Sequence, residues 1–338
     1  MARTRSFTVH TAPWYSQQHH TPEGFRSPGV SPSKSLLDVA PWLLRRAVQT
    51  RTHQQTPFQR ADVSLLRTPP ERLRVTWLGH ASLYVQLPGL AVLTDPMLSE
   101  RASPLPFAGP ARHVPPPIRA HELPSVDLVV LSHNHYDHCD RTTLRQLHQQ
   151  FIPEFLTPLG LGRVLKDWGI DHITELDWNQ YVATDAYRLH CTPARHATGR
   201  GLRDRNQTLW AGWYLTTDEA RFFFAGDTGY GEHFAQVRER LGSPDVAALP
   251  IGAYRPREIM KAVHMNPAEA MQALQDLQAP HMIPIHWGTF DLTDEPLSEP
   301  IEKAKDAARR KGMARALHTL DVGESWELRT VPVDAPNR

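Results

Sequence analysis

Four side chains able to bind a cation fall within six positions: His133, His135, Asp137 and His138, in the string SHNHYDHCD. The string follows the apolar run DLVVL, so the pattern H-x-H-x-D-H starts where a buried strand is expected to end. On an extended segment alternate residues share a face, which lets His133 and His135 address one ion. The turn that follows can direct Asp137 and His138 toward a second ion. Imidazole and carboxylate together make a donor set suited to zinc. A His-rich surface loop could carry the same letters, but it would have no reason to follow a buried strand directly.

Two ions need further donors, and three stand at other expected strand ends. Asp227 in RFFFAGDTGY comes after three Phe and a Gly, where a carboxylate can bridge two ions ~3.5–4 Å apart. His286 in MIPIHWGTF precedes a Gly turn, and His196 in CTPARHATGRG marks a strand-to-loop junction. Singly, each would read as a turn Asp or a packed His; the six-residue motif makes them candidate ligands. His80 in GHAS and Asp95 in LTDP are expected to orient ligand imidazoles through hydrogen bonds. Tyr254, after PIGA, is a candidate pocket-lining residue.

The elements that must position these groups are legible in outline. RLRVTWLG, SLYVQL and AVLTD read as short strands, SVDLVVLSH as a buried one and RTTLRQLHQQ as a helix. Later strands are expected at DHITEL, AYRLHCTPA, TLWAGWYLT, RFFFAG, DVAALPI and HMIPIHW. Asn266, Pro267 and Glu269 form a helix start with a capping box, and another helix is expected at Ile301–Arg310. Strands outnumber helices and alternate with them, which suits a layered α/β (α+β) architecture.

Residues 1–70 are rich in Pro, Ser, Gln, Arg and His and read as an irregular N-terminal arm, with residues 71–338 as the domain proper. Inside the arm, Lys34–Arg51 sets Leu36, Leu37, Trp42, Leu43, Leu44 and Val48 beside Arg45, Arg46 and Arg51. It is either a helix packed on the domain or a membrane-surface element. The net charge of +1 gives no global field for nucleic acid, and no nucleic-acid partner is expected. Two cysteines, Cys139 and Cys191, cannot make a disulfide framework and read as small packing residues in a reducing compartment. No apolar run reaches membrane-span length, and the N-terminus lacks the continuous apolar core of a secretory signal. A cytoplasmic location is expected, with peripheral contact to the inner membrane face left open.

VTWLGHAS, LTDP, SHNHYDH, TPARH, FFFAGDTGY and IHWGTF, in this order, resemble the metallo-β-lactamase superfamily. The longer strings LTDPMLSERASP, PIGAYRPREIMKAVHMNPAEA and IHWGTFDLTDEPLSEP are similar to N-acylphosphatidylethanolamine-hydrolysing phospholipases D. The resemblance implies a four-layer αββα sandwich with two Zn2+ at one edge. It places His133, His135 and His196 on the first zinc, Asp137, His138 and His286 on the second, and Asp227 between them. It also makes His264, in MKAVHMNP, an active-site histidine near the substrate phosphate, and gives Asp137 and His264 catalytic roles.

The chemistry implied is hydroxide attack on a phosphodiester, the zincs lowering the pKa of a shared water. N-acylphosphatidylethanolamine would give phosphatidic acid and an N-acylethanolamine. Arg200, Arg203 and Arg205 follow His196 and either contact phosphate or form a solvated loop. The alternatives are a lactonase or ester hydrolase acting on a soluble, phosphorylated metabolite, and a metal or lipid sensor without turnover. The arm has three readings: packing on the domain, lining a lipid groove, or a homodimer contact.

Overall fold

The computed structural model describes residues 7–29, 41–42, 44–46, 54–201 and 203–329. The strands are β1 (Val9–Thr11), β2 (His20–Thr21), β3 (Gly24–Phe25), β4 (Leu73–Gly79), β5 (Ser82–Leu87), β6 (Leu90–Thr94), β7 (Leu128–Val130) and β8 (Glu154–Pro158). They continue as β9 (Ile173–Leu176), β10 (Gln180–Ala183), β11 (Arg188–Thr192), β12 (Gly212–Thr216), β13 (Arg221–Phe224), β14 (Val246–Pro250), β15 (His281–Ile285) and β16 (Ser325–Leu328). The helices are α1 (Val63–Arg67), α2 (Arg141–Phe151), α3 (Leu161–Asp167), α4 (His233–Leu241), α5 (Arg257–Met260), α6 (Pro267–Leu277) and α7 (Glu299–Arg310).

Two seven-stranded sheets result, in the orders β16-β4-β5-β6-β7-β8-β9 and β1-β10-β11-β12-β13-β14-β15. Each is antiparallel at one side and parallel at the other, the change falling at β6–β7 in the first sheet and β13–β14 in the second. Alternate residues of the first sheet face opposite ways, as the period of two demands. Trp77, Leu83, Val85 and Val130 join Trp213, Phe222 and Phe224 of the second sheet in one core. Leu78, Tyr84, Leu93 and Val129 pack instead with Leu144 and Leu147 of α2 and Leu161 and Leu165 of α3. Both faces are therefore covered, and β4, β5 and β6 are buried along their whole length, which explains their near-continuous apolar sequences. The helices flanking a pair of packed sheets give the expected αββα layering.

The capping box holds: Asn266 Oδ1 accepts from the Glu269 backbone N–H, and the Glu269 carboxylate accepts from that of Asn266. Cys139 and Cys191 are free and buried, and burial pushes the Cys139 thiol up to about 12, so they pack rather than react. Among the described residues, no helix is long and apolar enough to cross a membrane.

The arm departs from the irregular reading. β1 pairs antiparallel with β10, Val9 opposite Val182, and becomes the edge strand of the second sheet. A three-residue strand with every side chain exposed has no hydrophobic alternation to betray it. Most of Lys34–Arg51 lies outside the described residues. Within it, Pro41, Trp42 and residues 44–46 have helical backbone, Arg45 pairs with Asp294 at 2.9 Å, and Arg46 pairs with Asp291 at 2.9 Å.

Candidate metal centre

The motif string leaves β7 and turns along the mouth between the sheets. Loops from other strands bring the remaining groups to it: His80 after β4, Asp95 after β6, His196 after β11, Asp227 after β13 and His286 after β15. His80, Asp95 and His286 sit at φ of 52°, 36° and 61°, a left-handed backbone that non-glycine residues rarely adopt. Each ends or nearly ends its strand by turning sharply. This kind of strain persists only where surrounding contacts fix it. Here the His286 backbone N–H donates to the His80 carbonyl at 3.0 Å, and the Trp77 indole N–H donates to the same carbonyl at 2.9 Å.

The second sheet must approach the motif closely. The Ala211 N–H donates to the Ser132 carbonyl at 2.9 Å, and the Trp213 indole N–H donates to the Leu131 carbonyl at 2.9 Å. Gly226, at φ 59°, makes room just before Asp227: a Cβ there would lie 2.6 Å from Ser132 Cβ.

Asp227 Oδ2 is the hub of the cluster. His286 Nε2 lies 3.1 Å from it, His138 Nε2 3.2 Å, His196 Nε2 3.7 Å, His133 Nε2 3.9 Å and His264 Nδ1 4.0 Å. To one side, His135 Nδ1 stands 2.8 Å from His133 Nε2 and 3.3 Å from His196 Nε2. To the other, Asp137 Oδ2 stands 3.4 Å from His138 Nε2 and 3.5 Å from His286 Nε2. All seven expected ligands and His264 thus meet around one carboxylate, in two groups that share it.

The outward nitrogens of three of these rings are held by the protein. Ser132 Oγ–H donates to Asp95 and its oxygen accepts from His133 Nδ1 at 2.8 Å. His138 Nδ1 donates to Asp95 Oδ2 at 2.7 Å, and His196 Nδ1 to the Val263 carbonyl at 3.0 Å. His80 Nε2 donates to Asp137 Oδ2 at 2.8 Å. The inward atoms differ: His138 Nε2, His286 Nε2, His264 Nδ1 and Asp227 Oδ1 are buried with no hydrogen-bond partner. His138, anchored at Nδ1 and free at Nε2, and His286, free at both nitrogens, stand beside the carboxylates with the donor arrangement of a metal site. The residues present fit a pair of divalent cations.

Electrostatics point the same way. Burial strips charge from most of the imidazoles, bringing His135 and His80 down to about 3 and His133 and His264 well below the ordinary value. For His138 and His286 burial opposes the charge too, but Asp227 and Asp137 outweigh it and raise both, His286 to about 9. Burial would likewise raise Asp137 and Asp227, yet His138 and its neighbours hold both well below the usual carboxylate range. The two carboxylates demand positive charge, which cations at these donors would supply while displacing protons.

Two of the side chains expected at the substrate are engaged within the fold. The Tyr254 hydroxyl is committed to Glu299, and its backbone N–H donates to Glu295 Oε1 at 3.0 Å. Arg200 braces the motif from outside: Nη1 donates to the carbonyls of Asn134 at 2.7 Å and Cys139 at 2.8 Å, and the guanidinium lies 3.9 Å from the Tyr136 ring centre. Arg203 contributes its backbone carbonyl to Gln207 within the same loop. Sequence reading missed Ser132, although its place directly before the first histidine was a usable signal. It also missed Thr289, whose Oγ1 accepts from the His80 backbone N–H at 2.7 Å and gives no linear clue.

A profile for the Beta-lactamase superfamily domain matches residues 91–287. The N-acyl-phosphatidylethanolamine-hydrolyzing phospholipase D 1 of Caenorhabditis elegans is 41% identical over 270 residues, 75% of this chain and 76% of its own length. The mitochondrial N-acyl-phosphatidylethanolamine-hydrolyzing phospholipase D of Saccharomyces cerevisiae is 34% identical over 257 residues, 74% of this chain and 55% of that protein. Among solved structures, a metallo hydrolase from the archaeon Ignicoccus hospitalis superposes with a TM-score of 0.58 at 20% identity, covering 77% of this chain and 100% of that one. That last likeness bears on the fold alone.

Proposed function

The chain belongs to the β-lactamase superfamily as one of its hydrolases, and we propose that it is a two-zinc phosphodiesterase that cleaves N-acylphosphatidylethanolamine or a related phospholipid. The observation that carries the reading is the 41% identity to the worm phospholipase D, spread over 76% of that enzyme. The convergence of His133, His138, His196 and His286 on Asp227, with His135 and Asp137 beside them, supports it.

In this reading His133, His135 and His196 would hold one ion, Asp137, His138 and His286 would hold the other, and Asp227 would serve both. Bound there, the ions supply Lewis acidity toward phosphoryl oxygens and lower the pKa of water toward neutrality. Asp95 fixes the His138 ring, His80 fixes the Asp137 carboxylate, and the Val263 carbonyl fixes the His196 tautomer. His264, kept neutral by burial, is placed to donate a hydrogen bond to the substrate phosphate from a ring N–H. Water attacks phosphorus, the P–O bond to the N-acylethanolamine breaks, and that alkoxide leaves with a proton.

The test is turnover of N-acylphosphatidylethanolamine in detergent micelles by zinc-loaded protein, in water enriched in oxygen-18. The expected products are N-acylethanolamine without label and phosphatidic acid with one labelled oxygen by mass spectrometry. Label in a released fatty acid, or turnover of lactones with none of the phospholipid, overturns the assignment.

A further inference from the structure

Behind the metal centre, between the arm and the second sheet, lies a cavity of about 550 Å3. That is within the roughly 300–1,000 Å3 of small-molecule sites. Trp14 from the arm and Trp178 from the β9–β10 connection line it, with Arg195, Glu232, His233 and Arg240. Arg195 Nη1 donates to the Tyr230 carbonyl at 3.0 Å and Arg240 Nη1 to Asn179 Oδ1 at 3.4 Å. Neither guanidinium meets a carboxylate among the described residues, so two cations face one acid, the exposed Glu232.

His233 adds a second, independent feature. It is 7% exposed, and its Nε2 lies 3.2 Å from Thr228 Oγ1. The Thr228 hydroxyl donates to the Gly229 carbonyl at 2.8 Å, so Nε2 is the donor to Thr228. Burial, reinforced by Arg195, keeps the ring neutral by lowering its pKa to about 3. Nδ1 therefore carries a lone pair, and it is buried with no partner in the protein. Two tryptophan edges in a mainly polar lining, two cations without carboxylate partners and one buried acceptor without a donor coincide in one cavity.

We propose that this cavity binds a small planar aromatic acid bearing a hydroxyl or amino group: rings against Trp14 and Trp178, the acid on Arg195 and Arg240, the donor on His233 Nδ1. The site is distinct from the metal centre but joined to it. Arg195 precedes His196, Thr228 follows Asp227, and the Arg195 backbone N–H donates to Thr228 Oγ1 at 2.9 Å. Occupancy would thus brace both ligand-bearing loops from behind.

The probe is 6-hydroxy-2-naphthoate, whose hydroxyl cannot bond its own carboxylate, titrated against the full-length zinc-loaded protein by calorimetry and by quenching of tryptophan fluorescence. Its neutral amide tests the charge and 2-naphthoate tests the hydroxyl. Both should bind about tenfold more weakly or worse, the amide losing a charge-assisted contact and the naphthoate leaving Nδ1 unpaired. Arg240→Gln and Trp14→Ala should each weaken the probe by about tenfold while zinc content and melting temperature hold, which separates a lost contact from a collapsed site. No binding of the probe, equal binding of acid and amide, or full affinity in both variants overturns the proposal.

Discussion

Two clusters of imidazole around a carboxylate stand in this molecule, and they are built to opposite ends. Around Asp177, His19 Nε2 donates to Oδ1 at 2.6 Å, and His20 Nε2 and the Tyr15 hydroxyl meet Oδ2 at 2.8 and 2.7 Å. The Trp178 backbone N–H completes the shell on Oδ1 at 2.8 Å. Burial would raise the Asp177 pKa, but the hydrogen bonds from His19, Tyr15 and His20 outweigh it and lower it. Every acceptor there is matched by a protein donor. Around Asp227, by contrast, Oδ1 and ring nitrogens of His138, His264 and His286 are buried and unmatched. Both groups contain donors close enough to share an ion. Donor density therefore does not mark a metal site by itself; buried valence that the protein leaves unsatisfied does. The Asp177 cluster reads as a clamp that fastens the arm, since Tyr15, His19 and His20 all belong to it.

The contrast can be tested from either side. The largest effect is expected from Asp227→Ala, which removes the shared carboxylate: elemental analysis should find both ions lost, and turnover should fall below detection. Retention of two zincs with activity would break the assignment of Asp227 as the hub. Asp95→Asn should do less, because Asp95 reaches the ions only through the ring of His138 and, by way of Ser132, that of His133: such outer partners are worth roughly 10–100-fold in metal affinity, readable by chelator competition. An unchanged affinity would show that Asp95 serves the fold alone. Asp177→Asn should do least to the centre. It replaces an acceptor by an amide beside three side-chain donors from the arm and should cost about 1–3 kcal/mol in arm docking, seen as faster proteolysis within residues 7–29 at constant zinc content. If it instead lowered the zinc stoichiometry by one, the two clusters would be alike and the contrast would fail.

The legibility of the site followed from local chemistry. His133, His135, Asp137 and His138 are contiguous and follow a buried run, so both their types and their direction could be read from a line of letters. Asp227 and His286 were legible because apolar strands lead to them. Tyr254 shows the limit: it also follows a strand, but its hydroxyl is held by Glu299, forty-five positions on. Arg200 shows another, since a loop arginine that read as either a phosphate contact or a solvated charge is an internal brace on the motif.

Composition and short-range pattern determined the class of fold, the strands that carry the ligands, the capped helix at Asn266 and the identity of the donors, because each depends on neighbours within a few residues. The folded chain alone decided which nitrogen of each histidine faces inward, that His80, Asp95 and His286 turn through left-handed backbone, that an arm strand completes the second sheet, and that one His–Asp cluster is satisfied while the other is not. Those features depend on partners tens to hundreds of positions away, and a hydrogen bond between such residues exists only once the two sheets have packed.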